Sequence, residues 1–218
     1  TNQIANFFAL IKQKSMFANR LQAGELLAKK LFLFKNDRKT IVVAIPNGGV
    51  LTAYPIVKAL NLPLELQLVK KIPHPDDAKI TIGAISLTDT FFNEDCGVTA
   101  SYFENEANTY KELLIEKYNQ FIGRKAVLNL SGKTVILVDD GMQTGSTVEL
   151  AIQLIKKQHP SKIILAVPIS PQKVIDKLKD RVDEVFCLKY FLPEEALSEH
   201  YKNFHSVGDS SVVRLLKE

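Results

Sequence analysis

Val135-Ile136-Leu137-Val138-Asp139-Asp140-Gly141-Met142-Gln143-Thr144-Gly145-Ser146-Thr147 is the stretch on which the fold of this 218-residue chain turns. Four apolar, mostly β-branched residues spell a buried strand, two carboxylates stand where it ends, and a small-residue loop leads into a helical pattern from Ser146. The loop combines backbone N–H groups left open at Gly141 and Gly145, hydroxyls at Thr144, Ser146 and Thr147, and the positive end of a helix dipole. That composition makes a phosphate cradle. Asp139 and Asp140 would repel such a phosphate, so they face something neutral or cationic, either sugar hydroxyls or a divalent ion. A phosphorylated sugar satisfies both halves.

Working outward, Thr40 to Ile45 is an apolar strand closed by Pro46-Asn47-Gly48-Gly49 and followed by a helix from Val50 to Leu60. Two glycines between a strand and a helix let the backbone approach an anion closely. Leu64 to Val69 alternates as a second strand and ends in Lys70-Lys71, two cations expected to point into the ligand crevice. The pattern is irregular from Ile72 to Thr99, apart from a strand at Ile80 to Leu87. A polar helix then runs from Ser101 to about Ile122, with Phe103, Ala107, Tyr110, Leu114, Tyr118 and Phe121 as its buried stripe. Beyond the opening stretch come a helix to about Gln158, a strand over Lys162–Pro168, a helix near Pro171–Lys179 and a strand over Val182–Leu188. Strands alternating with helices predict a single α/β domain over 1–218, with a mostly parallel sheet and helices on both faces. At the start, residues 4–11 and 17–34 have helical spacing and pack on the core without chemistry of their own; Arg20 is the one candidate exception, against the ordinary reading of a solvated helical arginine.

Composition bounds the function. Apolar residues are 46% and charged residues 24%, and the net charge of +4 is too mild to argue for nucleic acid. Two cysteines without metal-ligand spacing suit a reduced, cytoplasmic protein. No apolar run reaches membrane-spanning length, and Asn2, Gln3, Asn6 and Lys12 interrupt any signal-peptide core, so no membrane partner is expected. The histidines His74, His159, His200 and His205 form no metal or triad pattern. Ser131-Gly132-Lys133-Thr134 is not a nucleotide P-loop, because Val127 takes the first glycine's place and a strand, not a helix, follows.

Asp139 to Thr147, with the strand before it and the helix after it, resembles the phosphoribosyl pyrophosphate (PRPP) signature of type I phosphoribosyltransferases. The resemblance implies that Asp139 and Asp140 bind the ribose hydroxyls and hold Mg²⁺ through water. It also implies that Gly141, Met142, Gln143, Thr144, Gly145, Ser146 and Thr147 fix the 5′-phosphate. Ile45 to Val50 resembles the family's pyrophosphate loop, often with a cis peptide; this makes Asn47, Gly48 and Gly49 PRPP-binding residues, Asn47 standing where many relatives have arginine. The resemblance further implies the family's mostly parallel five-stranded sheet, with residues 72–99 as the mobile flap and the tail at 189–218 as a small hood over the acceptor.

Phe17, Arg20, Ala23-Gly24, Leu27-Ala28 and Leu31, together with Ile82-Gly83-Ala84, are similar to a little-characterised bacterial and archaeal group of predicted phosphoribosyltransferases. The implied activity is Mg²⁺-dependent transfer of phosphoribose from PRPP to a nitrogenous base or amine, releasing pyrophosphate. Asp139, Asp140, Lys70 and Lys71 would be its catalytic residues, and the implied partners are PRPP, pyrophosphate, the acceptor and a second copy of the chain. Purine-salvage members carry an aspartate at the place of Gln143. Glutamine cannot take a proton, so the acceptor stays open. The alternative is a regulatory protein that senses PRPP or a nucleotide on the same fold. A phosphohydrolase using Asp139 is disfavoured, since it gives Gly48-Gly49 no role.

Overall fold

The computed structural model describes residues 16–217, so the helix expected over 4–11 lies outside the described residues. Strands β1 (Thr40–Ala44) and β6 (Thr134–Val138) run parallel at the middle of a sheet, in register from Thr40 opposite Thr134 to Ala44 opposite Val138. With β2 (Leu64–Leu66), β7 (Lys162–Pro171) and β8 (Glu184–Phe191) the order is β2-β1-β6-β7-β8, and every pair is parallel. Alternation along the strands divides the core. Val42, Ala44, Ile136, Val138, Ile164 and Ala166 bury against α1 (Arg20–Lys30), α2 (Gly48–Leu60) and α3 (Ala100–Ile122). Ile41, Val43, Val135, Leu137, Ile163 and Leu165 bury against α4 (Ser146–Lys156) and α5 (Gln172–Leu178). Near-continuous apolar strands are what a parallel sheet covered on both faces requires.

From β1 the chain crosses through α2 to β2 on one side, and from β6 it crosses through α4 to β7 on the other. The strand order therefore reverses between β1 and β6, and the crevice outside their carboxyl ends is where such sheets bind ligands.

Strand two is shorter than its alternation predicts. Gln67 still donates its N–H to Ala44 O at 2.9 Å, but Leu68 and Val69 leave the ladder. Lys70 then opens β3 (Lys70–Pro73), which forms a separate antiparallel sheet with β4 (Thr81–Ile85) and β5 (Thr90–Phe92). Leu68 is buried with Ile72 and Ile82 of that second sheet, and this burial draws the chain away from β1. The lysine pair thus begins one sheet rather than ending another, and as strand neighbours the two side chains point apart. Gly83 of β4 is required by crowding, since a Cβ there would fall 2.3 Å from Phe91 O and 2.5 Å from the Phe103 ring.

The opening helix is also shorter than its periodicity. Asn19 caps it, its Oδ1 accepting the Gln22 N–H at 2.9 Å, and the regular helix ends at Lys30 before a 3₁₀ turn over Phe32–Phe34. Phe17 lies outside it, bridged to Tyr201 of the tail. A last helix, α6 (Asp209–Leu216), packs on α3 and α2. No described helix is long and apolar enough to cross a membrane.

Candidate functional site

Because Ala44 pairs with Val138, the segments that follow leave the sheet side by side, and Ile45 N–H donates to Val138 O at 3.0 Å. The peptide bond between Pro46 and Asn47 is cis. A Cβ on Gly48 would lie 2.0 Å from Asp140 Oδ2, and one on Gly49 would lie 2.8 Å from Val138 O. The two glycines therefore make room for the carboxylate pair of the neighbouring loop.

Asp139 Oδ1 accepts the Asp140 N–H at 2.8 Å. Burial raises the Asp139 carboxyl well above the ordinary carboxylate range, and the negative charge of Asp140 raises it further. Asp140 is held on two sides. Its Oδ2 accepts Arg20 Nε–H at 2.6 Å, and its carbonyl accepts the Tyr201 hydroxyl at 2.6 Å. Burial, reinforced by Asp140, raises Tyr201 so far that it stays a protonated donor. Arg20 is not solvated: its side chain is 9% exposed, Nη1 donates to His205 O at 3.0 Å, and Cζ lies 3.8 Å from the Phe204 ring centroid. The signal was present in the spacing, because Arg20 leads the buried stripe Ala23, Gly24, Leu27 and Ala28 of α1.

Among the described residues, the backbone N–H groups of Gln143, Thr144, Gly145 and Thr147 have no internal partner and line the turn into α4. Gly141 (φ 145°) and Gly145 (φ 72°) adopt conformations that favour glycine. Ser146 N–H reaches Thr144 Oγ1 only at 3.4 Å, and Lys71 Nζ donates to Ser146 Oγ at 2.7 Å. This is a polar, cation-capped helix N-terminus suited to an anion. Met142 is a structural member of the loop: its N–H bonds Ile169 O at 3.0 Å and its side chain lies in the core.

A family model for the phosphoribosyl transferase domain matches residues 13–200. The chain belongs to the phosphoribosyl transferase domain family. A Mycobacterium tuberculosis protein provisionally named a phosphoribosyl transferase is 30% identical over 206 residues, which is 92% of this chain and 46% of the relative. The chain thus spans about half the length of the curated relatives it matches. The crystal structure of the protein TT1426 from Thermus thermophilus is similar with a TM-score of 0.79 at 29% identity, covering 92% of this chain and 97% of that one.

Within this phosphoribosyl transferase domain the remaining expected residues lie in different surroundings. Lys70 Nζ sits 4.8 Å from the Tyr110 ring centroid and, with Ile45, Pro46, Lys117 and Thr147, lines a cleft of about 290 Å³. Lys71 reaches Ser146 instead and lines a different pocket, with Gly83, Asn93 and Glu149, so the two lysines serve different surroundings. Asn47 directs its amide away to the tail, donating to Val207 O and Asp209 Oδ1, each at 2.8 Å. Asp209 also pairs with Lys117 at 3.4 Å. Gln143 is bonded three times by the chain that follows β8: Nε2 donates to Pro193 O at 3.1 Å and Glu195 O at 3.0 Å, and Oε1 accepts Leu197 N–H at 3.1 Å.

Among the described residues no group of three or more His, Cys, Asp or Glu side chains could hold a metal ion. The site offers two carboxylates, one of them already paired with Arg20. Such a sparse donor set fits Mg²⁺ that keeps its waters and takes most of its other ligands from phosphate oxygens.

Proposed function

We propose that this chain transfers phosphoribose from PRPP to a nitrogenous acceptor and releases pyrophosphate. The observation that supports the reading is the pairing of Ala44 with Val138, which brings the Asn47–Gly49 loop, Asp139-Asp140 and the loop entering α4 to one sheet edge. The N–H groups of Gln143 to Thr147, with Thr144, Ser146 and Lys71, bind the 5′-phosphate. Asp139 and Asp140 accept hydrogen bonds from the ribose hydroxyls. The backbone of Asn47 to Gly49 and the Lys70 ammonium receive the diphosphate. Holding the sugar at both ends leaves C1 as the free centre, where the acceptor nitrogen forms its bond as the bond from C1 to the diphosphate oxygen breaks. Asp139 and Asp140 would hold Mg²⁺ through water, and the ion would neutralise charge on the departing pyrophosphate. The β3-β4-β5 sheet serves as the lid that keeps water from the reacting carbon, and the tail from Lys189 onward serves as the hood.

A second reading, a PRPP-sensing regulatory protein, is favoured by Asn47 and Gln143. Two side chains that face the ligand in the resemblance are committed to holding the tail here. Pyrophosphate release from PRPP and Mg²⁺, measured across a panel of purines, pyrimidines and amines, separates the two. Release with any acceptor supports the transferase. Tight PRPP binding with no release across the panel supports the sensor.

A further inference from the structure

We propose that Arg20 is a positioning residue for Asp140, and that through Arg20 the C-terminal tail sets the ribose-binding end of the site. The inference rests on the phosphoribosyl reading above. Three side chains close a ring on Asp140. Arg20 Nε bonds Asp140 Oδ2 at 2.6 Å, and the guanidinium lies 3.8 Å from the Phe204 ring centroid. Phe204 stacks on Tyr201 with centroids 4.9 Å apart, and the Tyr201 hydroxyl returns to Asp140 O at 2.6 Å. Arg20 Nη1 adds a bond to His205 O at 3.0 Å, so the tail grips the guanidinium by a ring face and a carbonyl at once. A planar guanidinium can make these contacts together, whereas a point-charge ammonium cannot.

The geometry decides which part of Asp140 is left for ligand. Oδ2 is pinned between Arg20 and the bare Cα of Gly48, where a Cβ would approach to 2.0 Å. Oδ1 remains to accept a ribose hydroxyl. The positive charge of Arg20 also offsets one of two adjacent carboxylates, so Asp140 keeps its place beside Asp139 rather than swinging away from it. Because Arg20 is itself held by Phe204 and His205, any movement of the tail over the acceptor reaches the Asp140 carboxylate through this side chain, while Tyr201 reaches only its carbonyl. A buried ion pair is weak evidence for stability, and fixing a single geometry is the better-attested use.

Calorimetric titration with PRPP and, separately, with inorganic phosphate tests this in the whole chain. Arg20→Ala is expected to weaken PRPP on the order of 10- to 100-fold, the scale of a lost hydrogen bond between charged groups. Inorganic phosphate, which needs only the cradle, is expected to bind as in the wild type. Arg20→Lys should recover little of the loss, and Phe204→Leu, which touches neither carboxylate, should weaken PRPP to an intermediate degree. If Arg20→Ala does not fold, Phe204→Leu makes the same comparison. Unchanged PRPP affinity in these variants, or equal losses for PRPP and phosphate, overturns the role of Arg20. If the wild type binds no PRPP, the phosphoribosyl reading itself falls and takes this one with it.

Discussion

The loop after β1 and the loop after β6 leave the sheet side by side, yet they direct their polar groups differently. Beyond Asp140, the second loop gathers Thr144, Ser146 and a run of open N–H groups at the start of α4, with Lys71 of the neighbouring sheet bonded to Ser146. The first loop contributes glycines that give way to Asp140, and its one polar side chain, Asn47, is bonded to the tail. Gln143 is the exception inside the second loop, since it too is held by the tail. In the proposed site, one end would hold an anion by side chains and backbone together, while the other would rely on backbone, the polar side chains Asn47 and Gln143 being bonded to the tail. An anion site of the first kind is sensitive to side-chain replacement, and one of the second kind is sensitive to added bulk.

Gly48→Ala should have the largest effect. Its methyl would meet Asp140 Oδ2 at 2.0 Å, and overpacking of this kind costs about 1 to 3 kcal/mol. Calorimetry should show PRPP affinity falling on the order of 100-fold, because the displaced group is the carboxylate proposed to hold the ribose. Normal binding would mean the two loops do not touch. Thr144→Val comes next, with PRPP weakened by about 2 kcal/mol at unchanged melting temperature, the scale of a hydrogen bond to a charged group. A lower melting temperature without a loss of affinity would make Thr144 structural.

Asn47→Ala sharpens the contrast from the other side. Losing two bonds to the tail should cost about 1 kcal/mol of stability in denaturant unfolding, and PRPP affinity should stay within about twofold. A large affinity loss at constant stability would move Asn47 into the ligand site. The smallest effect concerns Asp139. Its carboxyl is raised in the fold, so the native state holds an extra proton between the ordinary value of 3.8 and the raised one, and stability falls as pH rises through that window. Asp139→Asn should therefore raise the melting temperature at pH 7, and the gain should vanish below pH 3.8. A loss of stability at pH 7 would show that Asp139 is satisfied as a charge.

The parallel sheet was legible because β-branched and leucine runs such as Thr40 to Ala44 and Val135 to Val138 are buried on both faces and bounded by glycine loops. Periodicity could not show that the chain changes sheets after Leu66, since alternation continues through Leu68 whichever sheet receives it. The turn from the carboxylate pair into α4 was legible for a local reason: its hydroxyls, glycines and helix start lie within a few residues. The partners of Asn47 and Gln143 were not, since they lie 160 and 50 residues downstream and no local pattern carries such distances. Arg20 was singled out in the sequence but under-weighted by type, since a charged residue is usually solvated, although this one occupies the buried stripe of α1.

The central claim is that the carboxylates at the end of β6 hold the ribose of PRPP. Replacing both, Asp139→Asn with Asp140→Asn, and titrating the folded variant with PRPP and Mg²⁺ tests it most directly. Binding should be abolished while the circular dichroism spectrum stays that of the wild type. PRPP affinity equal to the wild type's in that double variant would contradict the assignment.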